Sequence, residues 1–572
     1  MDKITKSLLD SFSTTYEYNS FEEEVQFELF ASYLCILNDY NDDFDPEETL
    51  TGGGQDIGID AVAVLVNGSI VTDLDQIDEA VTQNGYIDAT FILVQAKRSP
   101  NFDGAEISNF CLGVKQFFSD SLALPANDKI KEYRSIVNKI YSFASKFRNG
   151  NPTIKLYYVT TGRWLDDAQL KARIDLEKKD IEITGLFKTV LFTPIDSTAI
   201  QKLYQTSKNS IEKEISLPTK IAMPDITGVS EAYLGIMPAK DFITLITDEN
   251  NKIIKSLFYD NVRDWQQFND VNSEIQKTIS DATKQKSFVL MNNGVTLVAR
   301  KIQATGQKLF LKDYQIVNGC QTSHVLVESS YTQNLDQIYI PIKIIATEDD
   351  AIKAAITQAT NRQTEIKPEQ LHALSDFQKG LESFFQAVEK PYTLYYERRS
   401  RQYTSQEKIE KPKIISMTSL MRAYASAFMR EPHRATRDFR SITESIGGRI
   451  FGKDDKYEPY YLSAYLLYLT DHYFRVGLLN RNLRPAKYHI VLGVLLEAAK
   501  VEGFTQIPVS STNATVKFCN TLLTKRFWVQ VEQEKIFKAV ETKLIKLAGN
   551  DFSPDKIRTK AYTDSVLNEY ST

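Results

Sequence analysis

Asp60, Gln95 and Lys97 are residues whose types and spacing could do chemistry. Asp60 ends the stretch GGGQDIGID and heads the apolar run AVAVLV, while Gln95 and Lys97 close a second run, FILVQAK. Gly52 to Gly54 and Gly58 permit tight backbone geometry ahead of the first run, and the short, β-branched character of both runs predicts strands buried on both faces. Side chains alternate along a strand, so Gln95 and Lys97 project to one face and Val94 and Ala96 to the other. If the two strands pair, a carboxylate, an amide and an ammonium group converge. Oxygen donors of this kind suit Mg²⁺ or Mn²⁺, which keep several waters, one of which can become a nucleophile toward phosphorus. Asp60 and Gln95 are therefore the candidate metal ligands. Lys97 would orient that water or offset charge developing on a scissile phosphate. A plainer reading exists, since an Asp at a strand start is often only a turn residue and a neutral amide binds a hard cation less well than a carboxylate.

An acidic residue opening one strand and a polar-x-Lys triplet closing the next resembles the PD-(D/E)xK nuclease superfamily, in particular its Mrr-like restriction-endonuclease branch with a QxK triplet. The resemblance implies a restriction-endonuclease-like α/β domain, a catalytic set that includes Asp60, Gln95 and Lys97, and a glutamate on the preceding helix. The segment FEEEVQFELFASYLCIL is amphipathic at helical spacing, with Phe21, Val25 and Leu29 on one stripe and Phe30, Leu34 and Leu37 beside it. Glu28 best matches the family's helix carboxylate, and Glu24, one turn earlier on the same face, is its alternate. Gln116, in the helical stretch after the QAK strand, is an extra candidate whose neighbours Phe117 and Phe118 point instead to core packing.

These residues need elements to hold them. At 572 residues the chain has room for about three or four domains, and 42% hydrophobic with 25% charged residues is ordinary for a globular protein. Alternating strand-like and helix-like segments (IKLYYVTTG, LDDAQLKARIDLEKKD, KTVLFTP, DSTAIQKLYQTSK) predict an α/β domain over residues 1–215 containing parallel strand pairs. The Pro-containing stretch SLPTKIAMPDITG, 216–228, marks the expected boundary. A central α+β domain over 229–455 and a mainly helical C-terminal module over 456–572 follow, so the fold class expected is multidomain α/β. The four cysteines are scattered without ligand spacing, and no 18 apolar residues run together. A cytoplasmic protein without a membrane span is expected. Charge is uneven: residues 1–100 carry 20 acidic and 4 basic side chains, within a net charge of −6. Capture of a phosphate backbone is thus expected of the later domains.

Four later segments, FYDNVRDW, MNNGVTLVA, QIVNGCQTS and NRQTEIKPEQL, resemble in wording, order and separation the abortive infection phage resistance (AIPR) family over roughly residues 230–480. Members commonly carry a restriction-endonuclease-like N-terminal region, so the two resemblances support each other. Physically, Asn292, Asn293 and Gly294 form one polar turn before a strand, and Asn318, Gly319, Gln321, Thr322 and Ser323 a second before a helix. Amides and N–H groups at a helix N-terminus suit phosphate, nucleotide or base edges, although Asn-Gly alone reads as hairpin chemistry. Asn293, Asn318, Gln321, Arg362 and Arg263 are the ligand-sensing candidates, for a phage-derived trigger or a nucleic acid.

The run LYYERRSRQYTSQEKIEKPK interleaves Tyr395, Tyr396 and Tyr403 with Arg398, Arg399 and Arg401, and residues 391–440 hold eleven Lys or Arg against five acidic residues. Bases stack on such rings and guanidinium planes, which makes Tyr396, Tyr403 and the three arginines nucleic-acid-binding candidates, with a solvated surface or internal ion pairs as the other reading. His472 and His489 lie among apolar residues and are expected in the core. Together the residues and resemblances predict an antiviral, metal-dependent endonuclease acting on DNA as a homodimer or higher homo-oligomer. A non-catalytic nucleic-acid-binding regulator with a degenerate nuclease fold, or an RNase acting on host transcripts, are the alternatives.

Overall fold

The run AVAVLV forms β1 (Ala61–Val66), every residue of which is buried. It pairs antiparallel with β2 (Ser69–Val71) and with β3 (Ala89–Lys97), while β3, β4 (Thr153–Thr160) and β5 (Thr189–Ile195) run parallel, in the order β2-β1-β3-β4-β5. The computed structural model describes the whole chain except residues 41–43, 209–211, 248–250, 252, 259–269, 331–334, 362–375, 399–401, 404–408, 437–448, 453, 550 and 571–572. Continuous hydrophobicity follows from the layering, because both faces of this sheet are covered. On one face lie α1 (Lys3–Thr15) and α2 (Glu23–Leu37), which bury Leu9, Phe12, Phe27, Phe30 and Leu34 against Ala61, Ala63 and Val94. On the other lie α5 (Gly104–Phe117) and α6 (Asp128–Ser142), packed on Val62, Val64, Phe91 and Leu93. Between them in sequence come α3 (Pro46–Thr49) and α4 (Leu74–Asn84); α7 (Ala168–Glu182) and α8 (Ser197–Lys208) complete the domain.

The second sheet has six strands in the order β6-β10-β9-β11-β8-β7: β6 (Glu212–Ser216), β7 (Thr219–Ala222), β8 (Glu231–Pro238), β9 (Val295–Thr305), β10 (Lys308–Asn318) and β11 (Tyr339–Ala346). All pairs are antiparallel except β9 with β11. Residues 212–222 therefore do not lie at a boundary. They are the two edge strands of the central sheet, where Pro and short length are tolerated because one side of the ladder stays open. One face is packed by α9 (Ala239–Ile246), α10 (Asp270–Ser280) and α12 (Cys320–Ser330). MNNG is not a hairpin either. It joins the short α11 (Phe288–Met291) to β9, and Asn292 Oδ1 accepts from the Gly294 N–H (2.8 Å) in a tight turn at Gly294, φ +78°.

After α13 (Asp350–Asn361) a third core forms. The helices α14 (Asp376–Ala387), α15 (Met417–Ala427), α16 (Glu458–Arg475), α17 (Lys487–Val501), α18 (Asn513–Leu522), α19 (Gln530–Ala548) and α20 (Lys560–Glu569) share it, with the small parallel pair β12 (Tyr395–Glu397) and β13 (Ile414–Ser416). Leu381, Phe385 and Tyr396 are buried in the same cluster as Tyr460, Val491 and Phe537, so the helical unit begins near residue 376, well before the division expected at 456. Among the described residues no helix is long and apolar enough to cross a membrane.

Candidate active site

The loop before β1 is held in an unusual conformation. Gln55 (φ +52°) and Ile57 (φ +54°) occupy the left-handed region that L side chains rarely adopt, and a β-branched Ile there is a strained residue that its surroundings must enforce. Those surroundings are identifiable. The Asn127 Nδ2 group donates to the carbonyls of Thr51 (3.0 Å), Gly52 (3.0 Å) and Gly54 (2.9 Å), and the Asn127 N–H to that of Gln55 (2.9 Å). Gly113 on α5 leaves no room for a side chain, since a Cβ there would stand 1.8 Å from the Ile57 carbonyl oxygen.

This loop delivers Asp60 to the end of β1, directly opposite β3. The Asp60 N–H donates to Val94 O (2.9 Å), and the Asp60 Oδ2 atom accepts from the Ala96 N–H (2.6 Å). Asp60 is 6% and Gln95 4% exposed. The Gln95 amide satisfies its surroundings when its nitrogen donates to Gly58 O (2.5 Å) and its oxygen accepts from Lys97 Nζ (3.0 Å). That oxygen then stands 3.4 Å from Asp60 Oδ2. Two oxygens at this separation without a shared proton are the spacing of neighbouring ligands around one divalent cation, and the Lys97 ammonium lies beside them.

Glu28 completes the group from α2. Among the described residues its carboxyl has no hydrogen bond or ion pair, and burial, followed by the charges of Asp60, Glu24 and Asp56, pushes its pKa up to about 8. Burial likewise raises Asp60 to about 6, against the lowering effect of the Ala96 N–H and the Lys97 charge. Carboxyls that repel one another in a desolvated site fit a bound cation, which would offset the repulsion. The donor set is lean. Among the described residues no three His, Cys, Asp or Glu side chains are grouped closely enough to hold a metal ion, so two carboxylates and one amide are what the protein offers. Asp56, whose Oδ1 accepts from the Gly58 N–H (2.8 Å), adds charge to the site and is not among the residues the sequence singles out. Its position in a GxDxG-like loop is the signal that could have found it. Gln116 serves elsewhere, its Oε1 accepting from the Ala123 N–H (2.9 Å) at the end of α5.

The other candidates lie apart from this group. Asn318 Nδ2 donates to Thr360 O at the end of α13 (2.7 Å), and Asn292 Nδ2 to Thr322 Oγ1 at the start of α12 (3.0 Å), so two of the polar motifs meet each other and the end of α13 at one end of the central sheet. Asn293 is exposed there and Gln321 is buried. Arg263 and Arg362 lie outside the described residues, as do Arg399 and Arg401. Among its described residues the Tyr/Arg run is not an open stacking platform. Tyr396 is fully buried, with its hydroxyl donating to Gln378 Oε1 (2.6 Å), Tyr403 is buried and accepts from Gln386 Nε2 (2.9 Å), and Arg398 Nε pairs with Glu382 Oε2 at 3.0 Å. Rings and guanidinium are engaged inside the fold, which is the internal ion-pair reading of that sequence. His489 is a core residue as expected, bonded to Thr563 Oγ1 (3.0 Å), whereas His472 faces Glu17 of the N-terminal domain (3.3 Å).

A family model of AIPR proteins matches residues 258–554, while no curated protein and no solved structure gives a match. The matched region runs from the central sheet through most of the C-terminal helices, farther than the 230–480 expected, and takes in the helical unit that the sequence suggested was separate. Covering more than half of the 572 residues, the match shows that the chain belongs to the AIPR family of abortive-infection, anti-phage defence proteins.

Proposed function

We propose that the N-terminal domain is a metal-dependent endonuclease and that this activity is the effector of an anti-phage response. The observation that carries the reading is the meeting of Asp60 Oδ2 and Lys97 Nζ at the Gln95 amide oxygen, 3.4 Å and 3.0 Å away, with Glu28 contributing a second, half-buried carboxyl. Asp60, Gln95 and Glu28 would hold Mg²⁺ or Mn²⁺. When bound, the ion supplies Lewis acidity toward a phosphoryl oxygen and an acidified water. The chain's own residues do the rest. Lys97, fixed by the Gln95 oxygen, places a positive charge where a pentavalent phosphorane becomes negative. Glu28, which holds a proton near neutral pH before a cation arrives, accepts one from the attacking water once ionised, and the buried Asp60 keeps its orientation through the Ala96 N–H.

DNA is the substrate we infer, cut by a homodimer that brings one site to each strand. The test offers purified protein supercoiled plasmid, single-stranded DNA and RNA with Mg²⁺, Mn²⁺ or EDTA. Metal-dependent cleavage of DNA is expected, and cleavage of RNA alone would reassign the substrate. The lean donor set supports a second reading, a nuclease-like domain that binds nucleic acid without cutting it. Binding without turnover under every metal would establish it.

A further inference from the structure

The N-terminal domain meets the C-terminal helices across a seam of opposite charges. Glu17, in the left-handed region (φ +59°) between α1 and α2, accepts from Arg475 Nη2 at 2.9 Å and from Tyr468 OH at 3.1 Å, and faces His472 Nδ1 at 3.3 Å. Those three partners recur at i, i+4 and i+7 and so form one face of α16. Four residues on, the Phe21 ring carries the Arg481 guanidinium at 4.9 Å. Glu47 of α3 pairs with Arg484, whose neighbour Lys487 holds Asp471 at 2.8 Å. Glu48 lies within the field of Lys487 and Arg484, and Arg558 stands 3.7 Å from Asp73, the N-cap of α4.

Each acidic anchor adjoins one half of the candidate site. Glu17 and Phe21 precede α2, with Gln26 Nε2 donating to Phe21 O (2.7 Å), and the same helix carries Glu28. Glu47 and Glu48 precede Leu50, which bridges Ala61, and Thr51, whose N–H donates to Asp60 O at 3.0 Å. The Glu48 carbonyl also accepts from Tyr133 OH (2.9 Å), and Asn127 grips the residues that follow. α16 and the 3-10 turn Arg481–Ala486 that follows it thus contact both segments, the one leading to Glu28 and the one leading to Asp60.

We propose that the C-terminal helices are a brace for the N-terminal site: docking of Arg475 and Arg484 on Glu17 and Glu47 sets the distance between Glu28 and Asp60, so that release of the seam slackens the site and lowers its affinity for a divalent cation. This regulation rests on the metal-site reading above. Ion pairs suit a releasable brace, because desolvated charges specify one docking geometry while adding little net stability, which keeps the contact reversible. The family-defining region then governs a site outside itself.

The experiment uses the full chain and the variants Arg484→Ala, Glu47→Gln and Glu17→Gln, none of which lies in the site. Hydrogen exchange is followed in peptides covering residues 17–30 and 44–60, Mn²⁺ affinity by calorimetry, and folding by circular dichroism. The expected result is faster exchange in both peptides and a Mn²⁺ affinity lower by roughly fivefold or more, with retained helicity. The milder Glu17→Gln serves if Arg484→Ala fails to fold, and the exchanged pair Glu47→Arg with Arg484→Glu should recover part of the loss. Faster exchange at residues 468–487 with unchanged exchange at 44–60 and unchanged Mn²⁺ affinity would overturn the proposal. So would tighter binding or faster cleavage on opening the seam, which would make the contact a lock. If the wild-type chain binds no divalent cation, the metal-site reading fails by itself and the exchange data alone decide whether the seam is coupled to residues 44–60.

Discussion

At the scale of single residues the site makes separable demands. Asp60→Ala removes a buried oxygen donor and Lys97→Ala the cation that Gln95 places against it, so each should reduce metal-dependent cleavage on the order of 10²-fold or more while melting stays cooperative. Wild-type turnover in Asp60→Ala would remove it from the site. The raised carboxyls make a second test. Glu28 and Asp60 stay protonated in the metal-free protein to about 8 and about 6, whereas in the unfolded chain both ionise near the ordinary carboxyl range. The folded state then binds more protons, so their contribution to stability is present below about pH 4 and declines as pH rises to 8. Metal-free melting temperatures should fall across that window, and Glu28→Gln should flatten the fall. Asp60, Gln95 and Lys97 were legible in the sequence because a strand's alternation fixes which side chains share a face. Asn127 and Asp56 were not. Asn127 acts on a loop some 75 positions earlier in the chain, and no local pattern reports such a contact.

At the scale of elements, burial on both faces gave away β1 and β3, and the apolar stripe gave away α2. The edge strands β6 and β7 escaped because their composition is that of a linker, and only pairing with β10 and β8 makes them strands. The described part of the Tyr/Arg run, Tyr396, Arg398 and Tyr403, is packed inside the fold for a related reason. Tyr and Arg in alternation serve a stacking surface or a buried polar network equally well, and the choice depends on what α14 presents to them. Arg398→Ala should accordingly cost stability, on the order of 1–3 kcal/mol in chemical denaturation, because Glu382 loses its cation but keeps the hydrogen bonds from Gln402 and Tyr403. A lowered nucleic-acid affinity at unchanged stability would restore the surface reading. Gly113 gives the sharpest element-level test. Gly113→Ala drives a methyl into the Ile57 carbonyl, so α5 or the loop must move, and metal affinity should fall more than the melting temperature does.

At the scale of the whole molecule the charge asymmetry found in the sequence has a local destination, the seam between the acidic N-terminal domain and α16. Burial opposes ionisation of Glu17, but the hydrogen bond from His472 and the Arg475 charge outweigh it and hold its pKa down at about 2. A depressed carboxyl stabilises the fold above its unfolded value and loses that contribution as pH falls toward 2. Acid titration followed by hydrogen exchange should therefore open the seam below about pH 4, and Glu17→Gln should open it at neutral pH with little further change on acidification. A seam that exchanges identically at pH 3 and pH 7 would contradict this.

Glu17 finds its arginine 458 positions later in the chain. During synthesis the N-terminal domain leaves the ribosome first, and at roughly 5–20 residues per second it waits about a quarter of a minute to a minute before α16 can reach it. On the proposed brace, the N-terminal site is slack until that contact forms. The proposal then implies that an unfinished chain has no assembled site, and that a prematurely ended product carries Glu28, Asp60, Gln95 and Lys97 without the contact that would align them.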